Sequence, residues 1–482
     1  MTKTTIMNTK NELHEPPLIP GLPFFGNIFA FRRDPLKVLD EGWKDAGDLY
    51  QLELGPRTVW VISDPELVQN LFIEQKHIFQ RPRMVHGGTV LSYLLGQSVL
   101  TIDGEEWLFK RRLMQPIFHR QRIHQMGQTM VQAGEDMLGR WDDYPEGKPV
   151  DLSEEMKVVT LDIINRTMFS TNVLAEIDQI GPIVDIGLHY IANRTRSMIQ
   201  IPENWPTPAN LRFNRARDGL DQFLYGIIRE RRQSDEHPGD LLDMLLAARD
   251  EESGDYMTDE QVRNEVATVY GAGHETTAVA LTWTWYALNQ NPDVLARLQN
   301  EVDSVLKGRS PEVGDLPELP YTQTVFQETL RLYPPVPITI RVAFADTKLG
   351  EYAVPKGMVV SVVINNIHRH PDYWDKPERY LPERFLPENS DQIPHDAYIP
   401  FLTGPHLCIG NNFALTEGPL LLATMVQKYN IVLVPDQEII RDVAVTMRPK
   451  GGMQVRLEKR DFRPIEMPET THQAEPTHPQ TV

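Results

Sequence analysis

The chain has a single cysteine, Cys408, in the stretch FLTGPHLCIG at residues 401–410. A helical pattern follows over residues 412–427, and the N-terminus of a helix stabilises a thiolate. A thiolate is a nucleophile or a metal ligand, whereas the usual alternative for a free cysteine is a small buried hydrophobe. His406 is poorly placed as the base of a cysteine protease because it lies only two residues away on the same turn. A lone axial thiolate on haem iron requires only one cysteine.

A second group of residues with chemical potential is GAGHETT, at residues 271–277. It lies in the middle of a helix that a capping box at residues 258–261 starts and that Asn291-Pro292 ends. The helix spans about 32 residues, or roughly 48 Å. Glycine, threonine and glutamate are poor choices for the centre of a buried helix, and a buried carboxylate is costly without a partner or a task. Such a conflict between local rules and position favours a functional site.

The elements around these residues predict a mainly α fold of the α+β class. Helical patterns dominate from about residue 104 to residue 309, and they form a large helical region with a long central helix. The strand-like segments, which predict a small β-rich lobe, lie at residues 49–54, 58–62, 358–364 and 453–457. We expect a flexible N-terminus over residues 1–15, a single domain over residues 16–460 and a disordered tail over residues 461–482, which has few large apolar residues.

Composition narrows the classes of function. The chain has 482 residues, 67 acidic residues against 48 Lys plus Arg, and a net charge of −19, which argues against nucleic acid as a partner. One cysteine forms no internal disulfide, so a reducing, cytoplasmic location is expected. The N-terminal sequence has no apolar stretch long enough for a signal peptide or a membrane anchor.

Five motifs, taken together, resemble those of the cytochrome P450 family. FLTGPHLCIG resembles the family's haem-binding signature, and AGHETT resembles its oxygen-activating motif on a long central helix. The other three are WLFKR at residues 107–111, ETLR at residues 328–331 and PERF at residues 382–385. All five occur in the family's order, and the resemblance extends from about residue 16 to residue 459. It implies the cytochrome P450 fold and haem b as the cofactor.

The resemblance also implies roles around the haem. Cys408 would be the thiolate ligand of the iron, with Phe401 shielding it and Gly410 allowing close approach of the backbone. The residues that would bind the haem propionates are Trp107, Arg111, Arg341 and His406. His406 stands where many members of the family have arginine, and we expect it to make a weaker, pH-sensitive contact.

Three further groups complete the expected site. Glu328 and Arg331, which are neighbours on one helix face, would join Arg384 in a buried structural network that holds the cysteine loop. Glu275 and Thr276 would relay protons to bound oxygen, although the Thr276 hydroxyl could instead bond its own helix backbone. The expected lining of the substrate pocket is Ala272, Ile338, Ile340 and Met447.

The expected reaction is insertion of one atom of O₂ into an apolar substrate, by hydroxylation or epoxidation, with electrons from NAD(P)H through a separate partner. The alternatives are a haem-thiolate peroxygenase or isomerase and a non-enzymatic haem sensor. The acid–threonine pair favours the monooxygenase, because peroxide users in the family tend to lack it. ETLRLYPP together with PERF favours lipid-like substrates such as fatty acids over small terpenes.

A basic stretch, KRRLMQPIFHRQR at residues 110–122, has six basic residues and no acidic residue. Complementary charge would steer an acidic ferredoxin or flavodoxin, or a flavin reductase, to such a patch. The alternative is a solvated face with Arg111 turned to the haem. Both interpretations remain open at this point.

Overall fold

The computed structural model describes residues 15–83, 89–170, 174–195, 201–249, 254, 256–393 and 395–460. Apart from residue 15, the segments expected to be flexible at the N-terminus and disordered at the C-terminus lie outside the described residues. The expectation of one domain over residues 16–460 stays a prediction.

Helices make up most of the described chain, which confirms the mainly α, α+β class. They are α1 Ile28–Arg33, α2 Pro35–Ala46, α3 Pro65–Gln69, α4 Ser92–Leu95, α5 Glu105–Met114, α6 Arg120–Asp142, α7 Leu152–Met168, α8 Leu174–Thr195, α9 Pro208–Gln233, α10 Leu241–Ala247, α11 Asp259–Gln290, α12 Pro292–Leu306, α13 Pro320–Leu332, α14 Ile364–Ile367 and α15 Asn411–Lys428. No described helix is long and apolar enough to cross a membrane.

The strands form small sheets beside the helices. They are β1 Leu49–Leu54, β2 Arg57–Ile62, β3 Phe79–Gln80, β4 Val150–Asp151, β5 Ile338–Ala343, β6 Thr347–Leu349, β7 Tyr352–Val354, β8 Val359–Val363, β9 Tyr429–Leu433, β10 Arg441–Val443, β11 Met447–Pro449 and β12 Gln454–Lys459. The largest sheet has five strands in the order β1-β2-β8-β5-β3, and a three-stranded sheet has the order β4-β12-β9. The four strand-like segments of the sequence became β1, β2, β8 and β12.

The central helix α11 begins and ends where its sequence predicts. The Thr258 hydroxyl accepts from the Gln261 amide N–H and the Gln261 side chain accepts from the Thr258 amide N–H, so both halves of the capping box are present. Pro292 begins the next helix. A Cβ at Gly273 would lie 2.8 Å from Cδ1 of Ile164 on α7, so this glycine allows α7 to pack closely against α11.

Two hydrophobic cores hold the cysteine loop from opposite sides. The larger core contains residues of α6, α7, α11, α13 and α15, and the smaller one lies between the five-stranded sheet and the segment that leads to the loop. Phe401 packs against the larger core, and Leu402 packs against the smaller one. The loop is therefore fixed where the helical region meets the β-rich lobe.

Candidate functional site

The cysteine loop is shaped by one glycine and one backbone hydrogen bond. Gly404 has φ of 70°, and a Cβ there would lie 2.7 Å from the carbonyl oxygen of Phe72. Any side chain at this position would be strained and would clash with backbone. The Cys408 amide donates to the Phe401 carbonyl at 2.9 Å, which closes the loop just before α15.

Cys408 lies at an accessible position that protein atoms nevertheless surround closely. The side chain is exposed by surface area, yet its burial among protein atoms raises the pKa of the thiol. The Gly410 amide N–H and the nearby Arg111 guanidinium oppose this shift because both stabilise the thiolate. A Cβ at Gly410 would make only an ordinary contact with Sγ, at 3.9 Å, so the role of this residue lies in its amide.

The middle of α11 also faces accessible space. Most of this helix is buried, but Ala272, Gly273 and Thr276 each keep some exposed surface. Ala272 and Thr276 are four residues apart and so lie on one face of the helix. The Thr276 hydroxyl donates to the Ala272 carbonyl at 2.8 Å, which is the backbone contact expected of a threonine without a proton-transfer role.

Glu275 does not contact Thr276 through its carboxylate. Its side chain is buried, and Oε1 accepts from the Thr446 hydroxyl at 3.0 Å. The same oxygen lies 3.8 Å from Nη1 of Arg448, while Oε2 is buried without a hydrogen-bond partner. Arg448 also lies 3.5 Å from the carboxylate of Asp185, which is partly exposed. Glu275 and Thr276, which were expected to act as a pair, therefore have separate hydrogen-bond partners. Arg448 and the partly exposed Asp185 connect Glu275 to the protein surface.

Arg341, on β5, is a buried cation that forms no ion pair with a carboxylate of the described residues. Its side chain is 3% exposed, and Nη1 donates to the Ile340 carbonyl at 2.8 Å. Nη2 is buried and makes no hydrogen bond within the part of the chain that the structure describes. Burial, followed by repulsion from Arg81, lowers the pKa of Arg341 to about 9. A buried guanidinium nitrogen left without an acceptor fits an anionic ligand.

His406 lies beside the same group of cations. Its Nε2 is 3.0 Å from Oδ1 of Asp103, and Nδ1 is buried without a hydrogen-bond partner. The ring centroids of His406 and Trp107 are 4.4 Å apart. Burial opposes ionisation of Asp103, but contacts with His406 and Arg81 hold the pKa of this carboxyl at about 2. Asp103 is therefore an anion that orients the imidazole.

The charges of this cluster fit a ligand with two carboxylates. Arg341 is buried, Arg81 is largely buried with 13% of its side chain exposed, and Arg111 is half-buried and forms no ion pair with a described residue. Against three guanidinium groups stands the carboxylate of Asp103, which leaves about two positive charges to be neutralised. Haem b has two propionates, so the residues present fit this cofactor.

Two residues of this cluster, Arg81 and Asp103, were not predicted from the sequence. Arg81 lies in a loop after β3, where its guanidinium donates to the carbonyls of Val99 and Ile102. Neither residue belongs to one of the five motifs. The sequence signal that could have identified Asp103 was its position two residues before α5, the helix that contains Trp107 and Arg111.

Glu328 and Arg331 are fully paired, whereas Nε of Arg384, the third expected member of this network, completes no hydrogen bond with a described residue. Both side chains are fully buried, and Arg331 donates to both carboxylate oxygens of Glu328 at 2.7 and 2.8 Å. Its remaining donors reach the carbonyls of His368, Pro377 and Arg379. Glu328 also accepts from the amide of Leu381 at 2.8 Å, and Nε of Arg384 lies 3.5 Å from its carboxylate.

The expected pocket residues divide into two groups. Ile338 and Ile340 alternate on β5 with partly exposed side chains, and Ala272 lies on the accessible face of α11. Met447 differs, because it has no exposed surface and packs with Leu36 and Val443. The expectation that Met447 lines the substrate pocket is therefore wrong, since its side chain belongs to a small core.

Lys110 does not belong to a docking surface. It is 1% exposed, and its ammonium donates to the Gln97 carbonyl at 2.6 Å and lies 3.3 Å from the carboxylate of Glu265 on α11. Four residues of the basic stretch lie on the surface: Arg112, His119, Arg120 and Arg122. Three of them, Arg112, His119 and Arg122, line a shallow concavity.

This fold and the cysteine loop define a haem-thiolate protein. The sequence model described as Cytochrome P450 matches residues 16–455. The chain belongs to the cytochrome P450 family, and it is a monooxygenase with haem b as its cofactor.

Known proteins similar to the chain support this assignment. Cyclooctat-9-en-7-ol 5-monooxygenase of Streptomyces melanosporofaciens is 36% identical over 421 residues, covering 86% of this chain and 89% of that protein. Pentalenene oxygenase of Streptomyces avermitilis is 31% identical, covering 92% and 97%. The crystal structure of cytochrome P450DA heme domain superposes with a TM-score of 0.85 at 28% identity, covering 93% of this chain and 99% of that one.

Proposed function

We propose that the chain inserts one atom of O₂ into an apolar, terpene-like substrate by hydroxylation or epoxidation, with electrons from NAD(P)H through a separate partner. The observation that supports it most directly is Cys408, the one cysteine of the sequence, whose side chain is accessible in a glycine-shaped loop directly before α15. Peroxygenase, isomerase and haem-sensor functions have less support, since none of them requires the buried acid of α11.

In this proposal the chain's own residues hold the cofactor and move protons. Cys408 would supply the thiolate ligand of the haem iron, and Arg81, Arg111, Arg341 and the His406 cluster would hold the propionates. When bound, the haem supplies the chemistry of oxygen activation, which a thiolate ligand favours. Glu275 draws protons through its contacts with Thr446, and Thr276 presents a hydroxyl beside the accessible face of α11. Thr276 must leave the Ala272 carbonyl to donate elsewhere.

The thiolate assignment is tested by Cys408→Ser. We expect this variant to lose the long-wavelength Soret band of the reduced CO complex, because a serine oxygen does not replace a thiolate as donor. The comparison is the unmodified protein, since the chain has no other cysteine to exchange. If the band were retained, the assignment of Cys408 as the ligand of the haem iron would be wrong.

The substrate class rests on the relatives and on the lining. The two Streptomyces enzymes are named for cyclooctat-9-en-7-ol and pentalenene, and Ala272, Ile338 and Ile340 offer an apolar surface. This replaces the preference for fatty acids drawn from ETLRLYPP. A panel of terpenes and fatty acids, titrated while the Soret shift is recorded, tests the choice. Shifts with fatty acids alone would overturn it.

We propose a ferredoxin or flavodoxin, or a flavin reductase, as the electron donor of a cytoplasmic enzyme. A relative of Gibberella moniliformis, 29% identical over 95% of this chain but only 42% of its own length, is named as a bifunctional P450 and NADPH–P450 reductase. For this chain the exposed arginines Arg112, Arg120 and Arg122 offer positive charge to an acidic protein.

Charge reversal tests the docking surface. We expect Arg112→Glu with Arg120→Glu to slow reduction by an acidic ferredoxin and to weaken the dependence of the rate on salt. Arg215→Glu, on the exposed side of α9, is the matched control. Equal effects of the control and the double variant would contradict a specific docking site.

A further inference from the structure

A further buried carboxyl, Glu417, lies on the helix that follows the cysteine loop. Glu417 is on α15, the helix that begins directly after the cysteine loop, and α15 packs against α11. The side chain is 0% exposed. Neither of its two oxygens completes a hydrogen bond with a described residue. A carboxylate in this setting is costly, so the group is held in its neutral form or has a partner.

The polar neighbour of Glu417 is Thr277, the residue after Thr276. Burial raises the pKa of Glu417 to about 8, and the Thr277 hydroxyl is the one group that opposes the shift. No charged side chain contributes to it. At neutral pH the carboxyl is therefore protonated, and it has one O–H donor and one carbonyl acceptor to offer.

The hydroxyls of the two threonines differ in their own-helix contacts. Thr276 donates to the Ala272 carbonyl at 2.8 Å, and Thr282 and Thr284, further along α11, make the same contact at the same distance. The corresponding distance from Thr277 to the Gly273 carbonyl is 3.4 Å. The hydroxyl that lies near Glu417 is thus the one least bound to its own helix.

We propose that Glu417 is a positioning residue, which as a neutral acid shares a hydrogen bond with Thr277 and so ties α15 to the turn of α11 that contains Glu275 and Thr276. The tie sets the distance between that turn and the cysteine loop, because α15 starts at Asn411, three residues after Cys408. The inference rests on the proposed monooxygenase function, since its consequence is the coupling of electrons to product.

Four variants test the tie. Thr277→Val and Glu417→Leu remove one partner each, and we expect the peroxide released per NAD(P)H to rise about fivefold, the effect of one lost hydrogen bond. Glu417→Gln keeps a neutral hydrogen-bonding group and should stay near the unmodified protein. Thr282→Val is the control, because it removes a buried hydroxyl of α11 that bonds to the Ala278 carbonyl of its own helix.

The outcomes separate positioning from proton supply. If Glu417→Gln uncoupled the enzyme as strongly as Glu417→Leu, or if Thr277→Val left coupling unchanged, the tie would be refuted. The carbonyl stretch of a protonated carboxyl in the infrared spectrum, lost in Glu417→Gln, gives a readout without turnover. Absence of that band would also refute the proposal. A protein that consumed no NAD(P)H with any substrate would contradict the proposed function, and the infrared band would still decide the state of Glu417.

Discussion

Two buried acid-containing regions of the molecule are built in opposite ways. Around Glu328 and Arg331, both carboxylate oxygens of Glu328 and all three guanidinium nitrogens of Arg331 make hydrogen bonds. On the oxygen-activating turn, Glu275 keeps a buried oxygen without a hydrogen bond, and Glu417 nearby keeps two. Completed hydrogen bonding gives rigidity, whereas unsatisfied groups retain the capacity to bind and exchange protons.

The largest contrast is expected from Arg331→Ala. This change leaves the carboxylate of Glu328 buried without its cation, and we expect a loss of about 3–5 kcal/mol in the free energy of unfolding, together with loss of haem. Urea denaturation and the ratio of haem absorbance to protein measure both. Arg309→Ala, in the half-exposed pair with Asp315, is the control and should cost less than about 1 kcal/mol. Similar losses in the two variants would remove the distinction.

Thr276→Ala addresses the other region. The variant should keep haem and substrate binding, because its hydroxyl contacts only its own helix, while product per NAD(P)H falls on the order of 10²-fold as electrons go to peroxide. Peroxide and product are quantified in the same reaction. Thr276→Ser, which restores a hydroxyl, should recover much of the coupling. Unaltered coupling in the alanine variant would exclude a role in proton delivery.

The pH dependence of stability reports on Glu417. Its pKa is raised from 4.5 to about 8 in the folded protein, so the folded state binds the proton more tightly than the unfolded state. The stabilisation is present below pH 4.5 and is lost as the pH rises toward 8, at up to about 1.4 kcal/mol per pH unit. Glu417→Gln should flatten this slope in urea denaturation from pH 5 to pH 8. If stability changed with pH equally in the unmodified protein and in Glu417→Gln, Glu417 would be ionised in the folded protein over this pH range.

The smallest effect is expected from Thr446→Val. The hydroxyl donates to Oε1 of Glu275, and its loss should cost about 1 kcal/mol in stability. Because it also leaves Glu275 with Arg448 as its remaining contact, we expect a modest rise in peroxide release. Thr424→Val, a buried threonine bonded within α15, is the control. No change in either quantity would mean that Thr446 does not hold the acid.

Local sequence patterns predicted much of the fold and part of the candidate site. The limits of α11 follow from a capping box and a proline, and the spacing of Glu328 and Arg331 placed them on one helix face. Contacts between segments that are distant in the sequence could not be predicted from such patterns. Lys110 seemed part of a basic surface because its partner Glu265 comes 155 residues later, and Arg81 and Asp103 meet across a sequence separation of 22 residues. Met447 was misplaced for the same reason.

The burial of Lys110 makes this residue a reporter of motion. Its ammonium connects α5, which contains Trp107 and Arg111, to α11 through Glu265. An amine-reactive reagent therefore reaches Lys110 only when α5 separates from α11, whereas exposed lysines such as Lys348 react at once. The rate at which mass spectrometry detects the modification of Lys110 would measure how often the wall of the haem site opens.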